Sequence, residues 1–191
     1  MRLTILLPVS VSLLLGCATT EPLPTYFVLT AAGVSAKPVR PAATVRVYVR
    51  RVEGPAYLNR TNLASMNGNE VRYSPTALWA LSLDQTISLG IAWNLNRAGM
   101  PAAGFQPAFT IPPHTYEVAV HITHFEGHEN GDVLLSGSWQ ILTAGGGVLA
   151  SKSVTIRRSG WTVGNDAQLV ALLSSETTEL SDQIARALRG R

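Results

Sequence analysis

Four histidines, His114, His121, His124 and His128, fall within fifteen residues of one another, and imidazoles this close invite a metal-binding or general-base reading. On a strand, His121 and His124 project to opposite faces because their separation is odd. His124 and His128 share a face only if the strand continues through Gly127, which reads as turn, and Glu126 and Glu129 read as ordinary turn residues. The spacing therefore predicts no metal site and histidines that are solvated or hydrogen-bonded. Residues 146–153 (GGVLASKS) come close to a phosphate-cradling loop. However, Ser151 stands where a glycine must precede Lys152-Ser153, and Val154-Thr155-Ile156 continue as strand where a helix has to begin. No Gly-x-Ser-x-Gly elbow is present, and no serine is marked as a nucleophile beside a histidine. These residues predict a protein that is not an enzyme and that uses no cofactor or metal.

The one reactive group left is Cys17, the only cysteine of the 191-residue chain. It excludes an intramolecular disulfide framework and any multi-cysteine zinc site. Met1-Arg2 begins the chain with a weak positive charge, and Leu3–Leu15 follow as an apolar run broken only by Thr4, Pro8, Ser10 and Ser12. A transmembrane helix needs about twenty apolar residues, so this run is too short to span and fits a secretory segment. It ends in Leu14-Leu15-Gly16-Cys17, which resembles the lipobox of bacterial lipoproteins. That resemblance implies diacylglycerol on the cysteine sulfur, cleavage before it, and a fatty acyl chain such as palmitate on the new amine. Residues 1–16 are then a signal peptide, Cys17 is the lipidation site and residues 17–25 (CATTEPLPT) are a polar, proline-bearing tether. Ala18 rather than Asp after the cysteine resembles an outer-membrane address, with the domain facing the periplasm. The plainer alternative is an ordinary signal peptide with an incidental cysteine.

Hydrophobic residues make up 46% of the chain and charged ones 14%, a balance that excludes a disordered, charge-rich protein. A net charge of +3 on scattered lysines and arginines excludes a nucleic-acid partner. The remaining 26–191 fit one domain. Tyr26–Thr30 is a first strand and Ala31–Ala43, with two prolines, a loop. Thr44–Val52 alternates, with Val45, Val47 and Val49 on one face and Arg46, Tyr48 and Arg50 on the other. Asn62–Met66 and Glu70–Tyr73 flank the turn Asn67-Gly68-Asn69. Ser74-Pro75 reads as an N-cap with proline at the first helical position, opening a helix to about Ala98 that is apolar around much of its circumference. Tyr116–Phe125, Asp132–Leu142 and Val148–Ile156 form a meander with turns at Gly127–Gly131 and Gly145–Gly147. Tyr116, Val118, Val120, Ile122 and His124 share one face of the first of these strands. Asn165 or Asp166 caps a last helix to about Leu188, with Leu169, Leu173, Leu180, Ile184 and Leu188 as its apolar stripe. The fold class is α/β: one mixed sheet packed by two main helices.

Binding residues are sought among large apolar side chains outside these elements. Tyr57 and Leu58, in the loop Gly54–Leu58, and Trp161, in a loop after Arg157-Arg158, are candidate anchors for a partner. The alternative has Tyr57 and Leu58 folding back to cover a sheet edge. Trp79 and Trp139 suit the core, whereas Trp93 suits an interface. Arg46, Arg50 and Arg51 form a solvated face, with acidic lipid headgroups or an acidic partner as the minority reading.

Tyr57–Arg60, Asn69–Val71, Leu78–Leu83 and Ile91–Leu95, followed by Tyr116–Val120, Phe125–Gly127, Leu135–Trp139 and Leu180–Ala185, resemble in order and spacing the PqiC/YmbA-type auxiliary lipoproteins. The similarity runs from about Tyr26 to Leu188. It departs at Leu81-Ser82, where that family usually has an acidic residue and a proline. The resemblance implies an outer-membrane lipoprotein that serves as an accessory or docking subunit of an MCE-type intermembrane lipid transport system, with an MCE-domain protein of the envelope as partner. A stand-alone structural lipoprotein for envelope integrity, or a carrier that encloses lipid itself, are the alternatives. A second copy of the chain is a further candidate partner.

Overall fold

Three long strands carry most of the alternating apolar residues of the chain, and the rest of the domain is arranged around them. The computed structural model describes residues 22–30 and 46–191. The signal peptide, the Leu14–Cys17 motif, the Ala31–Ala43 loop and Val45 lie outside the described residues. Numbered in chain order, β6 (Tyr116–His128), β7 (Asp132–Thr143) and β8 (Val148–Ser159) form the expected antiparallel meander. Val118 stands opposite Ile141, Val120 opposite Trp139, and Phe125 opposite Leu135, which also faces Ile156. These side chains are buried on one sheet face.

The phase of β6 changes partway along. Ile122 pairs with Gly137, but His124 pairs with Ser136, so Thr123 is an extra residue in a β-bulge. Beyond it Phe125, not His124, continues the buried row. The bulge draws the two strands together, and a β-carbon on Gly137 would lie 2.1 Å from the His121 carbonyl oxygen.

The other edge of β6 is shared. Near its start it pairs in parallel with β2 (Val47–Val49), which in turn pairs with β5 (Ala102–Gly104). Near its end it pairs in parallel with β3 (Asn62–Asn67), which is followed outward by β4 (Glu70–Trp79) and β1 (Thr25–Phe27). All eight strands belong to one mixed sheet. β5 is a short Ala-Ala-Gly segment with no sequence signal of its own. Asn96 covers part of it, accepting from Ala102 N at 3.0 Å and donating to Ala102 O at 2.7 Å.

The helix expected to start at Pro75 starts later. Residues 74–79 extend β4, and α1 runs Leu83–Arg97. Pro75 is tolerated because the β3–β4 register shifts there, and a proline lacks only a donor that a bulge does not require. Ser74 supplies the missing bonds: its hydroxyl accepts from Ala77 N, and its carbonyl accepts from Asn62 Nδ2. Trp79 is therefore a strand residue, packed against Phe125. The last helix, α2 (Asp166–Arg189), matches its expected span, with the Asn165 side chain accepting from Gln168 N.

Both helices cover the same sheet face and run side by side. Gly90 meets Thr177, Asn94 Nδ2 donates to Ser181 Oγ, and Arg189 reaches Ala98 O, so the helices advance in parallel. Ile87, Ile91 and Leu95 from α1, with Leu169, Leu173, Leu180, Ile184 and Leu188 from α2, close the core. The buried Ser88 joins α1 to the sheet, donating to Val49 O at 3.1 Å and accepting from Phe105 N at 2.7 Å. Among the described residues no helix is long and apolar enough to cross a membrane.

Replacing Gly137 with Ala places a methyl where the His121 backbone already stands, an overpacking that costs about 1–3 kcal/mol. Thermal denaturation should show melting lowered by several degrees. An unchanged midpoint would mean that the bulge is not pinned by this contact.

Candidate functional site

On the edge that β6 shares with β2 and β3, residues 123–126 have no strand beside them, and backbone groups there need other partners. The chain supplies them from a single turn of 3-10 helix, Ala56–Asn59. The Tyr57 hydroxyl is shared between the Thr123 carbonyl oxygen at 3.1 Å and Glu126 Oε2 at 3.0 Å. Glu126 in turn accepts from its neighbour's amide, Phe125 N, at 2.6 Å and meets His124 Nδ1 at 2.7 Å. His128 Nε2 is 3.7 Å from Glu126 Oε1. Tyr73 donates to Tyr57 O and so fixes the turn against β4. Burial first, then the neighbouring Glu126 charge, push the Tyr57 hydroxyl far above the ordinary phenol range, so it remains a donor.

Glu126, expected in a turn, is thus fully buried inside β6. The turn is confined to the residues after His128, and Gly127 also lies in the strand. The bulge further corrects the histidine geometry: His121 and His124 stand opposite Ser138 and Ser136, two residues apart on β7, and therefore share a face. They do not combine into a metal set. His124 is taken by Glu126, while His114, stacked on Tyr48, is held by Glu117 and Pro112 O, both at 2.8 Å. Among the described residues no group of three potential ligands is placed to hold a metal ion. Lys152 and Ser153 lie in β8, as the strand reading of residues 146–153 requires.

The candidate anchors are placed differently from a binding surface. Cys17 lies outside the described residues. Leu58 and Trp161 are each 5% exposed and belong to the core. Tyr57 is half-buried and committed to the β6 seam. Trp161 lies over Gly127, where a β-carbon would approach its ring to 2.5 Å, and its indole donates to Asn165 O at 3.0 Å. The sequence suggested a free loop because the glycine that makes room for the indole is 34 residues away. The alternative in which the Tyr57 turn folds back on the sheet is the arrangement observed. Trp79 and Trp139 are buried, and Trp93 is 63% exposed. Arg50 pairs with Glu117 and Arg51 with Asp84, which occupies two of the three arginines considered for acidic headgroups.

Sequence reasoning missed a second buried acid, Glu176. It sits on the inner side of α2, fully buried, and neither carboxyl oxygen has a hydrogen-bond partner. Burial pushes its carboxyl up to about 8. Arg158 on β8 opposes the shift, while Glu179 on α2 and Glu126 on β6 add to it. A glutamate within an otherwise apolar stripe, three residues after Leu173 and four before Leu180, was the available signal.

A two-layer α/β domain with one mixed sheet covered on one face by two helices is the class these features define. The chain belongs to the family described as the ABC-type transport auxiliary lipoprotein component, whose model matches residues 27–185. Two crystal structures share the fold, each with a TM-score of 0.67 and each covering 87% of this chain. One is of an uncharacterized protein, 20% identical and covered over 99% of its own length. The other, from Xanthomonas campestris, is 18% identical and covered over 97%. No functionally curated protein matches the chain.

The seam and the buried acid each make a prediction. Tyr57→Phe removes the only side-chain donor to Thr123 O among the described residues and leaves Glu126 short of a bond, at a cost of about 1–3 kcal/mol. Melting should fall by several degrees with no change in secondary structure by circular dichroism, whereas an unaltered midpoint would remove the seam from the stability account. Glu176 binds a proton in the folded chain that the unfolded chain, with an ordinary value of 4.5, releases earlier. Its contribution is complete below that value and is lost as pH rises through about 8. Glu176→Gln should therefore flatten the decline in melting temperature across this window, and parallel curves for both proteins would contradict it.

Proposed function

We propose that the chain is the acylated accessory subunit of an MCE-type intermembrane lipid transport system, held at the periplasmic side of the outer membrane through Cys17. The observation that carries this reading is membership, across residues 27–185, of a family of transport auxiliary lipoproteins. Leu14-Leu15-Gly16-Cys17 supports the anchor, since several acyl chains give lasting attachment at about 0.8 kcal/mol per buried methylene. Ala18 supports outer-membrane sorting. In this reading the domain docks on an MCE-domain protein and does no chemistry of its own. Docking does not use Leu58, Trp161 or the Tyr57 ring, which are committed to the fold.

Two measurements test it. Cys17→Ser should lose the acyl mass and move from the membrane to the soluble fraction, and retention of both would end the anchor. Affinity purification of the wild-type chain from crosslinked envelopes should recover an MCE-domain protein. Recovery of the lipoprotein without one would instead favour a stand-alone role in envelope integrity.

A further inference from the structure

We infer that the exposed apolar surface formed by Tyr26, Val28, Leu81 and Trp93 rests against the bilayer to which Cys17 is tethered, an inference that depends on the anchor proposed above. These side chains are 63%, 53%, 42% and 63% exposed, respectively. Tyr26 lies in β1 and Val28 just after it, Leu81 lies just after β4, and Trp93 lies on α1. Ala80 N donates to Phe27 O at 2.8 Å, which continues the β1–β4 register past Phe27 and Trp79 and sets Leu29, the neighbour of Val28, beside Leu81. Leu29 then crosses onto α1, its Cδ1 lying 3.5 Å from where a Gly90 β-carbon would be. Trp93 stands one helical turn beyond Gly90, on the neighbouring position of the same side.

The composition of this surface suits lipid. Residues 22–30 carry no charge, and residues 79–96 carry only Asp84, whose carboxylate is held by Arg51. Tyrosine and tryptophan are the side chains that settle at a membrane–water boundary, with an apolar body and a polar edge. The length of the leash selects the occupant. From Cys17 to Pro22, the first described residue, the chain spans five residues, at most about 18 Å when fully extended. A domain of this size has a radius of gyration of about 15 Å, so it is wider than its leash is long. The side that carries residues 22–30 is therefore kept next to the anchoring bilayer.

Trp93 gives the experiment its probe, because Trp79, Trp139 and Trp161 are buried. The acylated full-length mature protein is reconstituted into phosphatidylethanolamine–phosphatidylglycerol vesicles containing phosphatidylcholine brominated high on its acyl chains. The difference in emission between the wild type and Trp93→Phe isolates this residue, and matching melting curves confirm that the variant folds. The expected result is loss of most Trp93 emission to the brominated lipid, with little further loss to aqueous iodide. Emission quenched by iodide and untouched by bromine overturns the proposal. So does emission shielded from both, which would mean that protein covers the surface, whether a second copy or residues 31–45. Mass spectrometry of the same sample separates the two ideas. An acylated chain with Trp93 in water refutes the contact alone, and a chain without acyl groups refutes the anchor and the contact together.

Discussion

One edge of β6 has to serve two strands that come from different parts of the chain, and the fold depends on how the interval between them is closed. β2 takes the first three residues of the strand, Glu53 bonds Val120 and Ile122, and β3 takes the last two, which leaves residues 123–126 without a neighbouring strand on that edge. An unpaired buried amide or carbonyl costs about as much as a lost hydrogen bond. The Tyr57 hydroxyl and the Glu126 carboxylate fill that role, one for the Thr123 carbonyl and the other for the Phe125 amide. Burying a carboxylate is costly unless its lone pairs are engaged. The contacts from Tyr57, Phe125 and His124 meet that requirement. A Tyr–Glu–His cluster of this kind resembles acid–base machinery in a list of residues. Its geometry is directed instead at the chain's own backbone.

The same seam determines where the helices can lie. The Thr123 bulge turns Phe125 into the core beneath Trp79, and Gly127 then leaves room for the Trp161 indole at the entry to α2. α2 descends from that point alongside α1, and small residues at the crossing, Gly90, Ser88 and Ser181, let the two helices and the sheet approach closely. Glu176 is the exception inside this packing. A buried, unpartnered carboxyl is tolerated by remaining protonated, and its proton becomes part of the packing between α2 and the sheet.

The parts of this architecture that were legible in the sequence are those whose signals are local and periodic. The meander, the Asn67–Asn69 turn and the whole of α2 with its Asn165 cap follow from alternation, turn chemistry and capping within a few residues of each other. What was not legible depends on distant partners. Ser74-Pro75 has the local form of a helix start, but Asn62 across the sheet supplies the bond that keeps it in β4. β5 exists because Asn96 and β2 give three small residues something to pair with. The bulge inverted the expected faces of His124 and Phe125, since one added residue reverses every later side chain. The placement of Tyr57, Leu58 and Trp161 failed as a surface reading for a related reason. An apolar residue in a loop looks available until the glycine or carbonyl that receives it is known.

The charges of the domain bear on how it can recognise anything. Arg50, Arg51, Arg72, Arg157 and Arg158 all project from strands or their ends, yet each is paired with a carboxylate of the same chain. Such pairs add little stability at the surface, but they cancel the field that a cluster of free guanidinium groups would project. On the helix side Trp93 stands outward on α1 among polar and charged residues such as Asn96, Glu179, Asp182 and Arg186, while the opposite sheet face presents small and polar side chains such as Ser138, Gln140 and Ser153. Pairing of the arginines in this way removes long-range attraction, so contacts the domain makes through these strands depend on short-range fit.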